Sequence, residues 1–226
     1  MPETHVGILF HGIGTPARAL EPGEAPYWVA VDAFEDLLDR IAAHPLRDRI
    51  RISFDDGNLS DHDIALPRLL ARGLTADFFV LAGRIGQPGS LDAGQIRALA
   101  AAGMGVGSHG IAHRAWAGMG ADLLREELEG SRDRIGTILG TPVRAAGIPF
   151  GAWDARVLRA LVTAGYDSAW SSDRGRFDPQ ALLRPRRSVR GTDGPAEFAE
   201  ILTGSLPPLR RLRRFLGMTR RRWSGS

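Results

Sequence analysis

The 226-residue sequence predicts an α/β fold built around a parallel sheet. Seven short runs of apolar and β-branched residues predict buried strands, and amphipathic helical patterns lie between them. Strands that alternate with helices are joined by crossover connections, which favour parallel pairing. An incomplete α/β barrel and an open doubly wound sheet both satisfy this alternation.

The predicted strands are rich in Val, Ile, Phe and Ala and are bounded by Gly, Pro, Asp or Ser. They are Val6–His11, Ile50–Asp55, Ala76–Ala82, Met104–Ser108, Val143–Pro149, Asp167–Ser171 and Leu183–Val189. The helices, identified by their 3.6-residue apolar period, are Val31–Ala43, His62–Ala71, Ala93–Ala102, Ala121–Leu139, Asp154–Ala164 and Pro195–Leu202.

Short signals mark where several of these helices begin and end. Ser60-Asp61 and Asp92 precede two of them and are favoured N-cap residues. Three helices end on a glycine followed by an apolar residue, at Gly73, Gly103 and Gly165. Glycine adopts a positive φ at little cost, so this pattern predicts that each helix stops there and turns into a strand.

Length and composition indicate one soluble globular domain, with 43% hydrophobic and 24% charged residues. We expect residues 1–205 to form this domain and residues 206–226 to form a basic C-terminal tail. The absence of cysteine excludes disulfides, thiolate zinc sites and cysteine nucleophiles. No run approaches the ~20 apolar residues of a membrane span. Residues 1–5 lack a basic start ahead of an apolar stretch, so a cytoplasmic protein is expected.

The charge is distributed unevenly along the chain. All 29 basic residues are arginine, which explains a pI near 10.3 at a formal charge of only +3. Residues 206–226 contain seven arginines and no acidic residue, whereas residues 1–205 contain 22 arginines and 26 acidic residues. Nucleic acid is therefore not an expected partner, since the main body is acidic and no base-stacking motif accompanies the arginines.

The basic tail has its own apolar pattern. Leu209, Leu212 and Leu216 fall on one face of a helix, with arginines around them. Such a segment is suited to the surface of an anionic membrane, and a solvated arginine-rich terminus is the alternative.

Two adjacent carboxylates follow the second predicted strand, in Ser53-Phe54-Asp55-Asp56-Gly57. Ionised neighbours repel each other, and a cation that takes one of them as a ligand removes the conflict. The alternative is a polar turn in which Asp56 and Gly57 reverse the chain and Asp55 caps a helix.

Two histidines follow the fourth predicted strand, His109 and His113. Their i, i+4 spacing places both side chains on one face of a helical turn, within reach of one metal ion. Two solvated loop histidines are the alternative. Since the carboxylates and the histidines both follow strands, they are expected at the same edge of a parallel sheet. One carboxylate and two imidazoles leave a coordination position open, as in catalytic zinc sites.

A third segment, Gly147-Ile148-Pro149-Phe150, ends another predicted strand. With these three motifs in order, residues 5–203 resemble the polysaccharide deacetylases of the NodB-homology type. The family motif Thr-Phe-Asp-Asp-Gly is matched at 53–57, His-Ser/Thr-x-x-His at 109–113, and Arg-x-Pro-Tyr/Phe at 147–150. The resemblance implies a distorted seven-stranded (β/α) barrel and a divalent metal, zinc in many members.

The resemblance also implies a role for each matched residue. Asp55 would be the general base, and Asp56, His109 and His113 would be the metal ligands. The backbone N–H of Phe150 would stabilise the oxyanion together with the metal. A bound divalent cation lowers the pKa of its water and polarises an acetyl carbonyl, which agrees with this assignment.

Three positions depart from the family pattern. Gly110 replaces the hydroxyl residue after the first histidine, and Gly147 replaces the arginine that orients the base. No histidine follows His113, so the family's late general acid is missing. His11 is the first candidate for a substitute acid and His62 the second, with ordinary loop histidines as the alternative. Arg186 can replace the missing arginine electrostatically but not as a proton donor.

Three tryptophans flank the motif segments, Trp116, Trp153 and Trp170. They are candidates for stacking on a sugar, and packing in the core or at its rim is the alternative. Together these features predict a metal-dependent hydrolase that removes acetyl groups from an N-acetylated amino sugar or glycan. It is expected in the cytoplasm, in part at the inner face of the membrane. A hydrolase of a non-sugar amide and a glycan-binding member with little turnover are the rival interpretations.

Overall fold

The computed structural model describes residues 3–223, apart from the side chain of Trp223. Met1, Pro2 and residues 224–226, the last three of the expected tail, lie outside the described residues. The strands are β1 His5–Phe10, β2 Gly12–Ile13, β3 Trp28–Val29, β4 Ile50–Asp56, β5 Ala76–Val80, β6 Gly105–Ser108, β7 Ala145–Gly147, β8 Ser168–Ser171, β9 Arg176–Phe177 and β10 Leu183–Ser188.

The α-helices alternate with these strands as expected. They are α1 Val31–Ala42, α2 Leu66–Leu70, α3 Ala93–Ala101, α4 Ala121–Arg125, α5 Ser131–Leu139, α6 Ala155–Thr163, α7 Pro195–Thr203 and α8 Pro208–Trp223. Single π-helical turns at Asp61–Ala65 and Glu126–Gly130 precede α2 and join α4 to α5. The predicted helix Ala121–Leu139 is therefore one helical stretch with a π turn in its middle.

Seven parallel strands close into a barrel. They are ordered β10-β8-β7-β6-β5-β4-β1, and β1 pairs with β10 as well as with β4. Leu9 of β1 has Ser53 on one side and Ser188 on the other, which leaves no open edge between the first and last strands. The short β9 adds an antiparallel pairing at the start of β1. The predicted distorted seven-stranded barrel is confirmed, and the open doubly wound sheet is excluded.

The predicted helix ends and one of the two predicted caps are found in the structure. Gly73, Gly103 and Gly165 have φ of 61°, 80° and 82°, so each helix does turn through the left-handed region there. Asp92 caps α3 by accepting the N–H of Gln95. Ser60 makes no cap bond, because its hydroxyl instead accepts the N–H of Ile13 in β2.

Side-chain alternation along β4 separates the core from the site. Phe54 stacks between Phe10 and Phe78 at ring distances of 5.3 and 4.7 Å, with Phe34 of α1 at its edge. Successive strand residues point to opposite faces, so Ser53 and Asp55 both lie on the other face of the strand from Phe54. The apolar layer under the helices thus fixes which β4 side chains point into the barrel.

Residues 208–223 form the helix α8, whose apolar face matches the pattern expected for the basic tail. No helix within residues 3–223 combines the length and the apolar character that crossing a bilayer requires.

Candidate active site

The predicted site residues meet at the carboxyl ends of the barrel strands. Asp55 and Asp56 end β4, and His109 follows β6 directly. A cavity of about 320 Å³ opens above them. It is lined by Leu9, His11, Glu21, Pro22, Gly23, Glu24, Tyr27, Asp55, Asp56, His109, His113, Ile148, Phe150, Gly151, Ser172, Arg186 and Ser188.

Three of these side chains converge on one point. The Nε2 atoms of His109 and His113 each lie 3.5 Å from Oδ1 of Asp56. One ligand atom from each residue falls within 4.8 Å of the other two. An ion with tetrahedral bonds of about 2.0–2.1 Å separates its ligands by roughly 3.3 Å, so this spacing suits a single cation.

Hydrogen bonds at the far side of each ring orient the two imidazoles. Nδ1 of His109 lies 2.9 Å from the carbonyl oxygen of Gly147, and Nδ1 of His113 lies 2.6 Å from a carboxylate oxygen of Glu21. Both partners are acceptors, so we assign the ring proton to Nδ1 in each case. Each Nε2 then presents a lone pair to Asp56, which is the arrangement of metal-binding histidines.

The immediate surroundings of Asp56 fit a cation. Asp56 is 2% exposed, and neither carboxylate oxygen has a hydrogen-bond partner among residues 3–223. An unpaired buried carboxylate is costly. Burial lowers the pKa of His109 below its ordinary value, with the charges of Asp55 and Asp56 acting in the opposite direction. A neutral imidazole is the form that binds a metal.

Backbone strain is concentrated at the same place. Asp56, His113 and Phe150 have φ of 79°, 49° and 57°, values that side-chain-bearing residues rarely adopt. Such conformations cost on the order of 1–3 kcal/mol each and persist where the surrounding structure imposes them. The fold therefore holds Asp56, His113 and the cavity-lining Phe150 in conformations that local sequence preferences oppose.

The neighbouring carboxylate has a different partner. Arg186 of β10 is fully buried and binds Asp55 through both oxygens, at 2.7 and 2.8 Å. It also donates to the hydroxyl of Ser53 at 3.0 Å. Burial by itself would raise the pKa of Asp55, but the charge of Arg186, with smaller contributions that include His109, outweighs it and the pKa lies below the usual range. Asp55 is thus an ionised carboxylate held beside the convergent triad.

Comparison with known proteins identifies the family. The family model described as "Polysaccharide deacetylase" matches residues 43–169, more than half of the chain. The chain belongs to the polysaccharide deacetylase family. The matched segment contains Asp55, Asp56, His109, His113 and Phe150, whereas His11 and Arg186 lie outside it.

Individual relatives are more distant. The chain is 24% identical over 145 residues to "Putative polysaccharide deacetylase YxkH" of Bacillus subtilis (strain 168), covering 64% of this chain and 52% of that protein. The chain thus spans about half the length of this curated relative. The deacetylase PplD of Streptococcus pyogenes, solved in complex with acetate, superposes with a TM-score of 0.75 at 18% identity over 89% of this chain and 99% of that one. BC0361 of Bacillus cereus, a polysaccharide deacetylase, superposes with a TM-score of 0.75 at 21% identity, over 89% of this chain and 69% of that one. These structures share the fold.

Position 147, where the family's motif arginine is absent, is tightly packed. A Cβ on Gly147 would lie 3.0 Å from Nδ1 of His109 and 3.0 Å from the ring of Phe79, so a side chain here would press on the histidine. The guanidinium that contacts Asp55 comes instead from Arg186 of β10. The sequence-based expectation that Arg186 replaces the motif arginine electrostatically agrees with its contact to Asp55.

The second departure, Gly110, is also compensated. Gly110 has a φ of 81°, and a Cβ there would lie 2.7 Å from a carboxylate oxygen of Glu127. That buried carboxylate accepts the N–H of Ile111 at 2.6 Å and of Ala112 at 3.3 Å. Glu127 thus steadies the histidine loop in place of a hydroxyl. The sequence indicated no role for it, since it is an ordinary acidic residue inside a predicted helix.

The loop at 12–30 provides a further contact that the sequence did not reveal. Glu21, which holds His113, also pairs with Arg84, and Glu24 pairs with Arg18. Arg18 in turn donates to the side chain of Asn58 at 3.0 Å. These pairs fasten the loop over the cavity and bring the carboxylate of Glu21 to a ligand histidine.

The two candidate acids lie in different surroundings. His11 lines the cavity, its ring centroid is 4.9 Å from that of Tyr27, and its buried Nδ1 has no hydrogen-bond partner within residues 3–223. His62 pairs with Asp63 at 2.8 Å and is not among the cavity-lining residues. The geometry therefore favours His11 over His62 for a role at the site.

Phe150 forms the lip of the cavity. Its ring is 64% exposed and stacks on His113 at 4.4 Å. Phe150 lies in the 3₁₀ turn Pro149–Gly151, which follows β7. The oxyanion role of its N–H stays a prediction.

Stacking of the three tryptophans on a sugar is wrong. Trp116, Trp153 and Trp170 are 0%, 1% and 3% exposed, and none lines the cavity. Trp153 donates to Asp173 at 2.8 Å, and Trp170 packs with Phe79. All three belong to the interior, because large aromatic side chains bury more apolar surface there than a small cavity offers.

Replacing Arg186 with Met tests the buried ion pair. We expect Arg186→Met to lower the free energy of unfolding by about 3–5 kcal/mol, because Asp55 is left as an uncompensated buried charge. Arg187→Met is the matched control: its pair with Glu200 at 2.8 Å is half-exposed and should cost less than about 1 kcal/mol. Urea denaturation of both variants measures the difference, and equal losses would contradict the assignment.

A third carboxylate, Asp61, lies buried close to this pair. It is 0% exposed, and neither oxygen has a partner in the described part of the chain. Burial, followed by the charges of Asp56 and Asp55, raises the pKa of Asp61 well above its ordinary value. Asp61 therefore keeps its proton in the folded state at a pH where the unfolded chain has lost it.

The raised pKa of Asp61 predicts how the stability of the metal-free protein changes with pH. Above the unfolded pKa of about 3.9 the folded state binds more protons at Asp61, so its contribution to stability falls as pH rises. Asp61→Asn should remove that loss: relative to wild type, its free energy of unfolding should gain at least about 1 kcal/mol between pH 4 and pH 7. Asp63→Asn, at a more exposed position, should show no such trend. Parallel curves for wild type and Asp61→Asn would refute the assignment.

Proposed function

We propose that the protein is a metal-dependent deacetylase of an N-acetylated amino sugar, either free, linked to a nucleotide or lipid, or within a glycan. The observation that carries this proposal is the convergence of Asp56, His109 and His113 beside a separately held Asp55. Three ligands next to an unligated carboxylate are the composition of a hydrolytic metal site with a base. Family membership makes acetyl removal the reaction class to propose.

The proposed cofactor is a divalent ion, with Zn²⁺ favoured by one carboxylate and two imidazoles. Asp56, His109 and His113 would hold it. When bound, such an ion lowers the pKa of water and polarises a carbonyl oxygen. Glu21 and the carbonyl of Gly147 keep both Nε2 atoms directed at the ion's position through the bonds to Nδ1.

Asp55 is proposed to accept the proton of the attacking water. The two hydrogen bonds from Arg186 occupy one lone pair on each oxygen, and the remaining lone pairs can accept a proton. Arg186 also prevents the carboxylate from turning toward the metal position. Because its pKa is lowered, Asp55 is ionised across the neutral range and is a weak base. A divalent ion at this site would lower the pKa of the attacking water, so that a weak base would be sufficient to take its proton.

The acetyl oxygen and the leaving nitrogen need one donor each. The N–H of Phe150, at the cavity lip beside His113, is proposed to donate to the developing oxyanion. His11 is proposed to donate the proton that the departing amine requires, since it lines the cavity and its Nδ1 is uncommitted within residues 3–223. Deacetylation of an amide needs this proton, because an amine anion is a poor leaving group.

The size of the cavity supports a small reacting unit. Its volume of about 320 Å³ lies at the lower end of the range for small-molecule sites. The rim presents the rings of Tyr27 and Phe150, of which Phe150 is 64% exposed and so free to contact a sugar face. We propose that one acetylated sugar unit occupies the site.

The proposed location is the cytoplasm, including the inner face of the membrane.

One alternative is favoured by a specific observation. No histidine follows His113, so a binding protein that holds metal and acetylated glycan with little turnover fits the same geometry. A hydrolase of a non-sugar amide is the other alternative, and acetate release from N-acetylglucosamine oligomers separates it from the proposal.

Substitutions at the two carboxylates should have different effects. Loss of a residue that hydrogen-bonds to a metal ligand lowers metal affinity by ~10–100-fold. Asp56→Asn and His109→Ala should lower zinc affinity by more than that and should abolish acetate release. Asp55→Asn should keep about one zinc per chain and lower kcat on the order of 10²–10⁴-fold. Calorimetric zinc titration and acetate release from N-acetylglucosamine oligomers measure both effects.

Asp63→Asn is the matched control and should change neither quantity. Full activity in Asp55→Asn would overturn the assignment of the base. Zinc bound to wild type without acetate release from any acetylated glycan would favour the binding protein over the enzyme.

The substitute acid can be tested in the same assay. His11→Gln should retain zinc but lower kcat by about 10²-fold or more, because the amine then leaves without its proton donor. His62→Gln, whose side chain is outside the cavity, should behave as wild type. Wild-type rates in His11→Gln would eliminate His11.

A further inference from the structure

The helix α8 carries two faces with different chemistry. Its inner face is fastened to the barrel: Arg214 donates to the carbonyl of Asp173 at 3.1 Å, Arg221 pairs with the Asp173 side chain, and Met218 packs against the core. These three residues follow the helical spacing of one face. The opposite face is therefore held outward in a fixed orientation.

The outward side of α8 is apolar to an unusual degree for a water-facing surface. Leu209, Leu212, Phe215 and Leu216 are 63%, 54%, 65% and 57% exposed. Leu209, Leu212 and Leu216 form one stripe at i, i+3 and i+7, and Phe215 widens it. Arg213 and Arg220 are exposed on the border of this stripe. Exposed apolar side chains of this size in one stripe indicate a contact with a partner.

The charge around the stripe has one sign. No acidic residue occurs in residues 206–226, and α8 contains seven arginines. Burial, followed by the positive charges of Arg187, of Arg210 on α8 and of Arg190, lowers the pKa of Arg174. A second group, Arg176, Arg211 and Arg214, lines a cavity of about 290 Å³ beneath the helix. Excess positive charge therefore extends from α8 onto the adjacent barrel surface.

We propose that α8 docks the protein on an anionic phospholipid bilayer, with its leucines and Phe215 at the acyl boundary and its arginines on lipid phosphates. A bilayer of this kind supplies an apolar layer and a negative surface in one plane, and the stripe with its arginine border requires both. Nucleic acid supplies only the negative charge. A second copy of α8 would supply only the apolar contact and would set seven arginines against seven.

Docking would bring the catalytic cavity to the bilayer surface. Arg221 of α8 donates to the carbonyl of Gly151 at 3.3 Å and lies over the ring of Trp153 at 4.8 Å. Gly151 lines the cavity, and its neighbour Phe150 forms the lip. The helix is thus attached to the rim of the site. Bilayer binding does not depend on the proposed reaction, so its failure would leave the proposed function unaffected.

Sedimentation of the full chain with lipid vesicles tests the docking. Phosphatidylcholine vesicles with 30% phosphatidylglycerol should bind the protein, pure phosphatidylcholine vesicles should bind it at least about 10-fold less, and raised salt should weaken the binding. Arg213→Gln with Arg220→Gln should lower the partition coefficient about 30-fold, at ~1 kcal/mol for each arginine. Leu212→Ser with Leu216→Ser should lower it at least 10-fold.

Matched controls lie on other parts of the surface. Arg97→Gln with Arg125→Gln removes two exposed charges elsewhere, and Leu70→Ser removes a leucine that is 50% exposed on α2. Both should bind as wild type, and unchanged circular dichroism and Tm should show that every variant is folded. Equal binding to neutral and anionic vesicles would overturn the proposal. Wild-type binding by both α8 variants would also overturn it. A dimer that is seen by light scattering without lipid, and that the α8 substitutions dissociate, would show that a second copy covers the helix instead.

Discussion

The buried contact between Arg186 and Asp55 is the constraint on which the rest of the site depends. The two residues belong to the last strand and to β4, and they meet because β1 pairs with both strands and closes the barrel. The guanidinium keeps Asp55 ionised and holds both of its oxygens beside Asp56, His109 and His113. A buried charge pair tolerates little displacement, since either partner alone would be strongly unfavourable. Barrel closure and site geometry are therefore coupled by one ion pair.

Around that pair, the chain replaces individual features of the family pattern with contacts from distant segments. The missing arginine at Gly147 is replaced by one from β10, and the missing hydroxyl at Gly110 is replaced by the carboxylate of Glu127. Both glycines stand in close contact with these groups, since a Cβ would lie 3.0 Å from Nδ1 of His109 at position 147 and 2.7 Å from the carboxylate of Glu127 at position 110. The 12–30 loop adds Glu21 behind His113. Together these contacts determine which nitrogen of each histidine faces Asp56, and the backbone is strained at Asp56 and His113.

Much of the fold could be predicted from local patterns. The seven barrel strands were placed to within two residues at each end, because apolar strands bounded by Gly, Pro or acidic residues are a local signal. The π turns inside two predicted helices were missed, since they keep the same apolar period. The convergence of Asp56, His109 and His113 was predictable because they follow strands whose carboxyl ends meet. The roles of Glu21, Arg84 and Glu127 were not, because each is a common charged residue whose partner lies at least 15 residues away in sequence.

The sequence by itself determined the elements, the three motifs and the uneven distribution of charge, because each depends on neighbouring residues and on the period of one helix or strand. Tertiary structure decided three other matters that the residue pattern left open: that the sheet closes, that the tryptophans are interior, and that α8 turns its leucines outward. The physical reason is the same for all three. Burial and pairing depend on which surfaces the folded chain brings together, and a side chain of one composition can be buried or exposed accordingly.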